Sequence, residues 1–178
     1  MATPSINGYV STSNYFTPRT GENDNLCLAG INLKKNKLSI SLGAGVDTQF
    51  KPDTNGNGLE TSFKPSFEAK AVYQINKYLN TQARFREIGD AQQYRVTFGG
   101  SYKINDVVSV YAAAHATTKQ AKDSPSKTNF GAWLGTTFNL NKSLSISTEI
   151  QQNIVPHQEA TLANPNNLLF NVMMSWKF

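Results

Sequence analysis

The chain is short of charge, of cysteine and of long apolar runs, and each shortage removes a class of protein. Charged residues are 16% of the sequence, against about 25% in an ordinary globular domain. Asn, Gln, Ser and Thr fill the gap. Disordered chains combine high charge with few aromatics, whereas aromatics here reach 11%, so the chain folds. Its single cysteine, Cys27, rules out an intrachain disulfide framework and reads as a small apolar filler on a strand. No uninterrupted apolar run approaches the ~20 residues of a membrane-spanning helix. Met1 to Ser5 carries neither the basic nor the apolar segment of a signal peptide. Either such a leader has been removed and replaced by a starting Met, or export does not use that route. The net charge of +5 is scattered, with no basic run longer than Lys34-Lys35, so nucleic acid is not an expected partner. Metal and phosphate motifs are missing too. Gly43-Ala44-Gly45 lies inside an alternating run, not between a strand and a helix; it relieves crowding or permits bending. Asp53 to Gly58 has oxygen ligands and a glycine, but no flanking helices and no bidentate Glu at calcium-loop spacing. It reads as a loop tip, and no cofactor or metal is expected.

What the sequence does have is alternation. In Tyr94–Ile104, Tyr94, Val96, Phe98, Gly100, Tyr102 and Ile104 form one face; Arg95, Thr97, Gly99, Ser101 and Lys103 form the other. A period of two belongs to a strand that is apolar on one side. The same split recurs in 38–50, 63–75, 78–88, 107–119, 128–140, 144–154 and 166–178. In 63–75, for example, Phe63, Phe67, Ala69, Ala71 and Tyr73 oppose Lys64, Ser66, Glu68 and Lys70; in 128–140, Phe130, Leu134 and Phe138 oppose Asn129, Trp133 and Thr137. Two segments are less clean. In 25–33, Cys27, Ala29, Ile31 and Leu33 share a face, but Leu26 and Leu28 sit opposite. In 6–16, Tyr9, Val10, Tyr15 and Phe16 choose no parity. Both are read as strands.

Connections are expected to alternate between short and long. The short ones are Lys34-Lys35-Asn36-Lys37, Asn76-Lys77, Asn105-Asp106 and Asn141-Lys142, rich in residues that suit tight hairpins. The long ones are Thr17–Asp24, Lys51–Glu60, Ile88–Gln92, Gln120–Ser126 and Pro156–Pro165. About ten strands joined by neighbouring hairpins form an all-β, antiparallel up-and-down meander. Closing it into a barrel removes both unpaired edges. The chain, 1–178, fits a single domain.

Which face points outward separates a membrane barrel from a soluble, lipocalin-like ligand-binding one. None of the named apolar-face positions is Asp, Glu, Lys or Arg, as lipid contact demands, and as a packed soluble core would demand too. Tyr73, Tyr94, Tyr102 and Trp176 fall near strand ends on the apolar face, where interfacial girdles need amphipathic rings. Phe98 and Phe138 join them as lipid-facing residues. The polar faces are mostly Ser, Thr, Asn, Gln and Gly rather than the Lys and Glu of a water-exposed surface. The strands approach the ~9–11 residues that cross a bilayer when tilted. A transmembrane barrel is the favoured reading.

The last strand ends Phe170-Asn171-Val172-Met173-Met174-Ser175-Trp176-Lys177-Phe178. It resembles the C-terminal assembly signal of bacterial outer-membrane barrels, with Phe178 terminal, Trp176 two residues earlier, and Met174, Val172 and Phe170 at alternate places before. The resemblance implies an outer-membrane location, bacterial or, apart from Phe178, organellar. It also implies membrane lipid and the barrel-assembly machinery as partners, and identifies no subfamily.

Orientation then assigns the interior. Asp47, Lys64, Glu68, Lys70, Arg84, Arg86, Arg95, Lys103, Tyr111, His115 and Glu149 would line the lumen, with Lys177 beyond them, giving a net-positive lining. Three uses follow: a narrow pore favouring small anionic solutes, a plugged structural barrel, and an adhesion barrel that binds through its long loops. An enzyme is not expected. Some outer-membrane barrels are hydrolases, but His115, on the polar face of its strand, and His157, in the last long loop, have no partner at a spacing that demands catalysis.

Overall fold

The computed structural model describes residues 3–16, 23–52, 59–122, 125–154 and 168–178. Ten strands follow one another: β1 (Ser5–Phe16), β2 (Asn23–Lys35), β3 (Leu38–Pro52), β4 (Leu59–Gln74), β5 (Leu79–Ile88), β6 (Ala91–Lys103), β7 (Val108–Ala121), β8 (Lys127–Asn139), β9 (Leu144–Ile154) and β10 (Leu168–Lys177). Each pairs antiparallel with its sequence neighbours, and β1 pairs with β10, so the sheet closes as an up-and-down barrel. Closure leaves no edge, the condition for a sheet to stand in hydrocarbon.

Side-chain parity settles which face is outside. Val96, Phe98, Leu134, Ile150 and Val172 are exposed on the outer surface. Their strand neighbours Thr97, Gln151 and Asn171 are buried inside. The two unclear segments resolve the same way. Ile6 and Val10 of β1 are exposed, while Tyr9 faces the interior. On β2, Ile31 is exposed and the opposing Leu26 and Leu28 are buried in the interior, so two leucines share the inward face with polar residues. Among the described residues one acid breaks the rule outside: Glu87 shares the outward parity of Phe85 and is exposed. It is the last residue but one of β5, at the rim, where a charge facing out costs only ~0–1 kcal/mol.

Four short turns lie at one end. Three are built alike. Asn76 Oδ1 accepts from the backbone N–H of Tyr78 (2.8 Å) and Leu79 (3.0 Å). Asn105 does the same for Val107 and Val108, and Asn141 for Ser143 and Leu144. In each, the residue before the Asn donates its N–H to the carbonyl four residues on, as Ile75 does to Leu79 at 2.9 Å. The fourth is a two-residue hairpin between Lys35 and Leu38, with Asn36 in the left-handed region at φ 51°, which Asn tolerates better than most residues.

At the other end the strict alternation of short and long connections fails once. Ile88 pairs directly with Ala91, so the expected long connection Ile88–Gln92 is a two-residue turn, Gly89-Asp90. Gly89 supplies a φ of 54°, and its N–H donates to the Pro65 carbonyl at 2.9 Å. Strands also reach into other expected loops. β2 starts at Asn23, β3 runs to Pro52 and β4 starts at Leu59. Alternation there is masked by polar residues on both faces. The Asp53–Gly58 tip and the Pro156–Pro165 loop with His157 lie outside the described residues.

Candidate functional site: the barrel interior

A cavity of about 730 Å³ occupies the interior from mid-barrel towards the short-turn end. Its lower wall is neutral and polar. Asn32 Oδ1 accepts from Ser39 Oγ (2.7 Å) and Ser41 Oγ (3.2 Å), and Thr137 and Ser147 share a 2.8 Å hydroxyl contact. Such pairs satisfy inward hydroxyls across neighbouring strands without charge.

Its upper wall is ionic, and strand register builds it. Across β4, β5 and β6, Lys70 opposes Arg84 and Arg84 opposes Arg95. In the adjacent row Glu68 opposes Arg86, and Arg86 opposes Gln93. Glu68 is the counter-ion of this wall. Its Oε2 accepts from Arg86 Nε at 2.9 Å and Nη2 at 2.5 Å, and Arg84 Nη1 lies 4.0 Å away. Arg84 also donates to Gln93 Oε1. Arg95 Nε donates to Thr117 Oγ1 at 2.7 Å, and its guanidinium lies over the Trp133 ring, 5.4 Å from the centroid. On the facing wall, Tyr111 donates to Glu149 Oε2 at 3.1 Å. Gly135 makes room for that tyrosine: a methyl there would run into the Tyr111 ring.

A filled layer caps the cavity. Leu26, Asp47, Ser66, His115, Thr117 and Gln151 are all buried on inward-facing positions. Asp47 accepts from Gln49 Nε2 at 2.9 Å. His115 Nδ1 is 2.9 Å from Thr117 Oγ1, and its ring packs on Trp133 with centroids 4.8 Å apart.

Of the residues expected in the lumen, Glu68, Lys70, Arg84, Arg86, Arg95, Tyr111 and Glu149 line this one cavity, and so does Lys177 at its mouth. Asp47 and His115 belong to the layer above. Lys64 lies against the Gly89 turn at the far end. Lys103 is at the short-turn rim, 61% exposed and paired with Asp106 at 2.5 Å; that hydrogen bond, with the ammonium charge, lowers the Asp106 pKa from its usual value. Sequence reading left out Tyr9 and Trp133, which also line the cavity. Trp133 has the inward parity of Asn129 and Thr137 and was findable on that ground. Tyr9 sits in a segment with no clear parity and was not. Outside, Tyr73, Tyr94, Phe98, Tyr102, Phe138 and Trp176 are all exposed, as are Phe170, Val172, Met174 and Phe178 on β10 and just beyond it.

The family model for the outer membrane protein β-barrel domain matches residues 29–178. Among curated proteins none matches in sequence. Among solved structures, the chain is similar to the KdgM porin (7% identity, TM-score 0.47, covering 96% of this chain and 99% of that one). It is also similar to a loop-deletion mutant of OmpT, an outer membrane protein of Vibrio cholerae (10% identity, TM-score 0.42, 99% of each). A third is a de novo designed transmembrane β-barrel (13% identity, TM-score 0.44, 97% of this chain and 95% of that one).

Proposed function

Because this chain belongs to the outer membrane protein β-barrel family, we propose that it works in the outer membrane as a narrow pore with a preference for small anions. The observation that carries this reading is the cationic row of Lys70, Arg84 and Arg95 on one cavity wall. Like charges placed directly opposite on neighbouring strands are destabilising. A barrel selected only for stability gains nothing from setting three cations in succession across neighbouring strands. Among the described residues that line the cavity, the cations Lys70, Arg84, Arg86, Arg95 and Lys177 outnumber the acids Glu68 and Glu149. A lining of one net sign selects the opposite ion. The reading is non-enzymatic. His115 is held between Thr117 and Trp133. The row from Phe170 to Phe178 serves assembly and lipid contact, and residues 1–178 act as one unit.

The test is single-channel recording in a planar bilayer, with reversal potential under a salt gradient. Small conductance steps with anion preference are expected; silence or cation preference overturns the reading. The buried layer of Leu26, His115, Thr117 and Gln151 favours a second one, a barrel sealed at mid-height whose lower cavity is a blind pocket. Complete absence of conductance with a correctly folded barrel selects it.

A further inference from the structure

The two ends of the barrel differ in charge. At the short-turn end stand Lys34, Lys35 and Lys37 on the β2–β3 hairpin, Lys77 and Lys142 on two Asn turns, and Lys177 on β10, all exposed. Asp106 is the only acidic side chain at this end among the described residues, and Lys103 already pairs with it. At the opposite end the signs mix: Asp24, Glu60, Glu87 and Asp90 stand among Lys64, Lys119, Lys122 and Lys127.

The lysines do not project into open water on long loops. The turns of Lys77 and Lys142 also expose Ile75 and Leu140, and the neighbouring β6–β7 turn exposes Ile104 and Val107. Around them stands an outward ring of aromatics: Tyr78 and Tyr102, stacked with centroids 6.1 Å apart, with Tyr73, Trp176 and Phe178 exposed nearby. Lys77 Nζ lies 4.6 Å over the Tyr78 ring, which ties a cation to the girdle itself. Aromatic girdles mark the headgroup level, and apolar residues inside the turns keep the turns there. The cations are therefore held at the depth of lipid phosphates.

We propose that the short-turn rim is a binding surface for the headgroups of anionic phospholipids in the leaflet that surrounds it. This does not rest on the pore: a silent barrel would bind the same lipids. Anionic surfaces attract nearby lysines strongly enough to change affinity about fivefold per lysine, and the attraction falls with salt.

The full chain, folded in detergent, is titrated with phosphatidylglycerol or phosphatidylcholine, and retained lipid is read by native mass spectrometry. Phosphatidylglycerol is expected to be retained at least about tenfold more tightly at low salt, with the margin shrinking as salt rises. The triple variant K35Q/K77Q/K142Q should lose most of that preference. The equally discharged K119Q/K122Q/K127Q, at the other end, should keep it. Equal retention of the two lipids overturns the proposal. So does equal loss in both variants, which would make net charge the cause. Displacement of the lipid by inorganic phosphate or a soluble acidic polysaccharide at matched charge also overturns it, pointing to a soluble partner. Folding of each variant is checked by heat-modifiable gel mobility. If the rim variant does not fold, the lipid ratio and salt dependence of the unmodified chain still decide.

Discussion

Glu68 is the residue on which the cavity wall turns. It accepts two bonds from Arg86 and lies at the limit of ion-pair distance from Arg84. Removing one partner of a buried pair leaves the other charge uncompensated and costs ~3–5 kcal/mol. Glu68→Gln should therefore destabilise the barrel by about 3 kcal/mol, read from urea unfolding in lipid vesicles by the fluorescence of Trp133 and Trp176. In a conducting barrel it should also raise anion preference. The double change Glu68→Gln with Arg86→Met should recover part of the stability, because it removes the stranded cation. Loss below 1 kcal/mol would mean that water solvates this wall. Parity alone assigned Glu68, Lys70 and the three arginines to the interior. What parity could not give was pairing. That Glu68 stands directly opposite Arg86, with Arg84 at the edge of reach, follows from register, and register depends on the turn.

Turn chemistry is where more of the fold was legible than strand patterns suggest. Ile75-Asn76, Ile104-Asn105 and Leu140-Asn141 share one hydrogen-bond scheme. Each Asn fixes the register of the hairpin that follows: Gln74 opposite Asn80, Lys103 opposite Ser109, Asn139 opposite Ser145. Counting back from the first of these puts Lys70 opposite Arg84. The side chain satisfies two backbone donors at each site, as an N-cap does, and such caps are worth ~1 kcal/mol against Ala. The three turns are separate, so their effects should add. Asn76→Ala, Asn105→Ala and Asn141→Ala together should cost about 3 kcal/mol in the same unfolding assay, and each alone about a third of that. A triple variant as stable as the parent would assign the register to the strands. The Gly89-Asp90 turn shows the opposite case. Its flanks, Glu87 and Gln92, are polar on both faces, so nothing in the pattern distinguished a tight turn from a long loop. Only the pairing of Ile88 with Ala91 does.

At the scale of the whole barrel, the claim open to the sharpest test is depth. Family membership and closed topology put the outer face in lipid, but the position of the bilayer along the barrel axis follows from side chains. If the girdle of Tyr73, Tyr78, Tyr102 and Trp176 marks one boundary, the cost of an outward arginine should vary along the wall. Val96→Arg and Leu134→Arg, at mid-strand on β6 and β8 and both exposed outward, should each cost ~2–4 kcal/mol. Val107→Arg and Leu140→Arg, in the short turns, should cost ~0–1 kcal/mol, because the guanidinium can reach phosphate without leaving the interface. Unfolding of each variant in phosphatidylcholine vesicles measures the profile. A flat profile near zero would place the outer face in water and undo the membrane orientation. A profile with its maximum at the turns would bury the lysine rim in hydrocarbon and remove the basis for headgroup binding. The expected peak at mid-strand and low cost at the turns is the pattern under which lumen charge, aromatic girdle and cationic rim are consistent with one placement of the barrel.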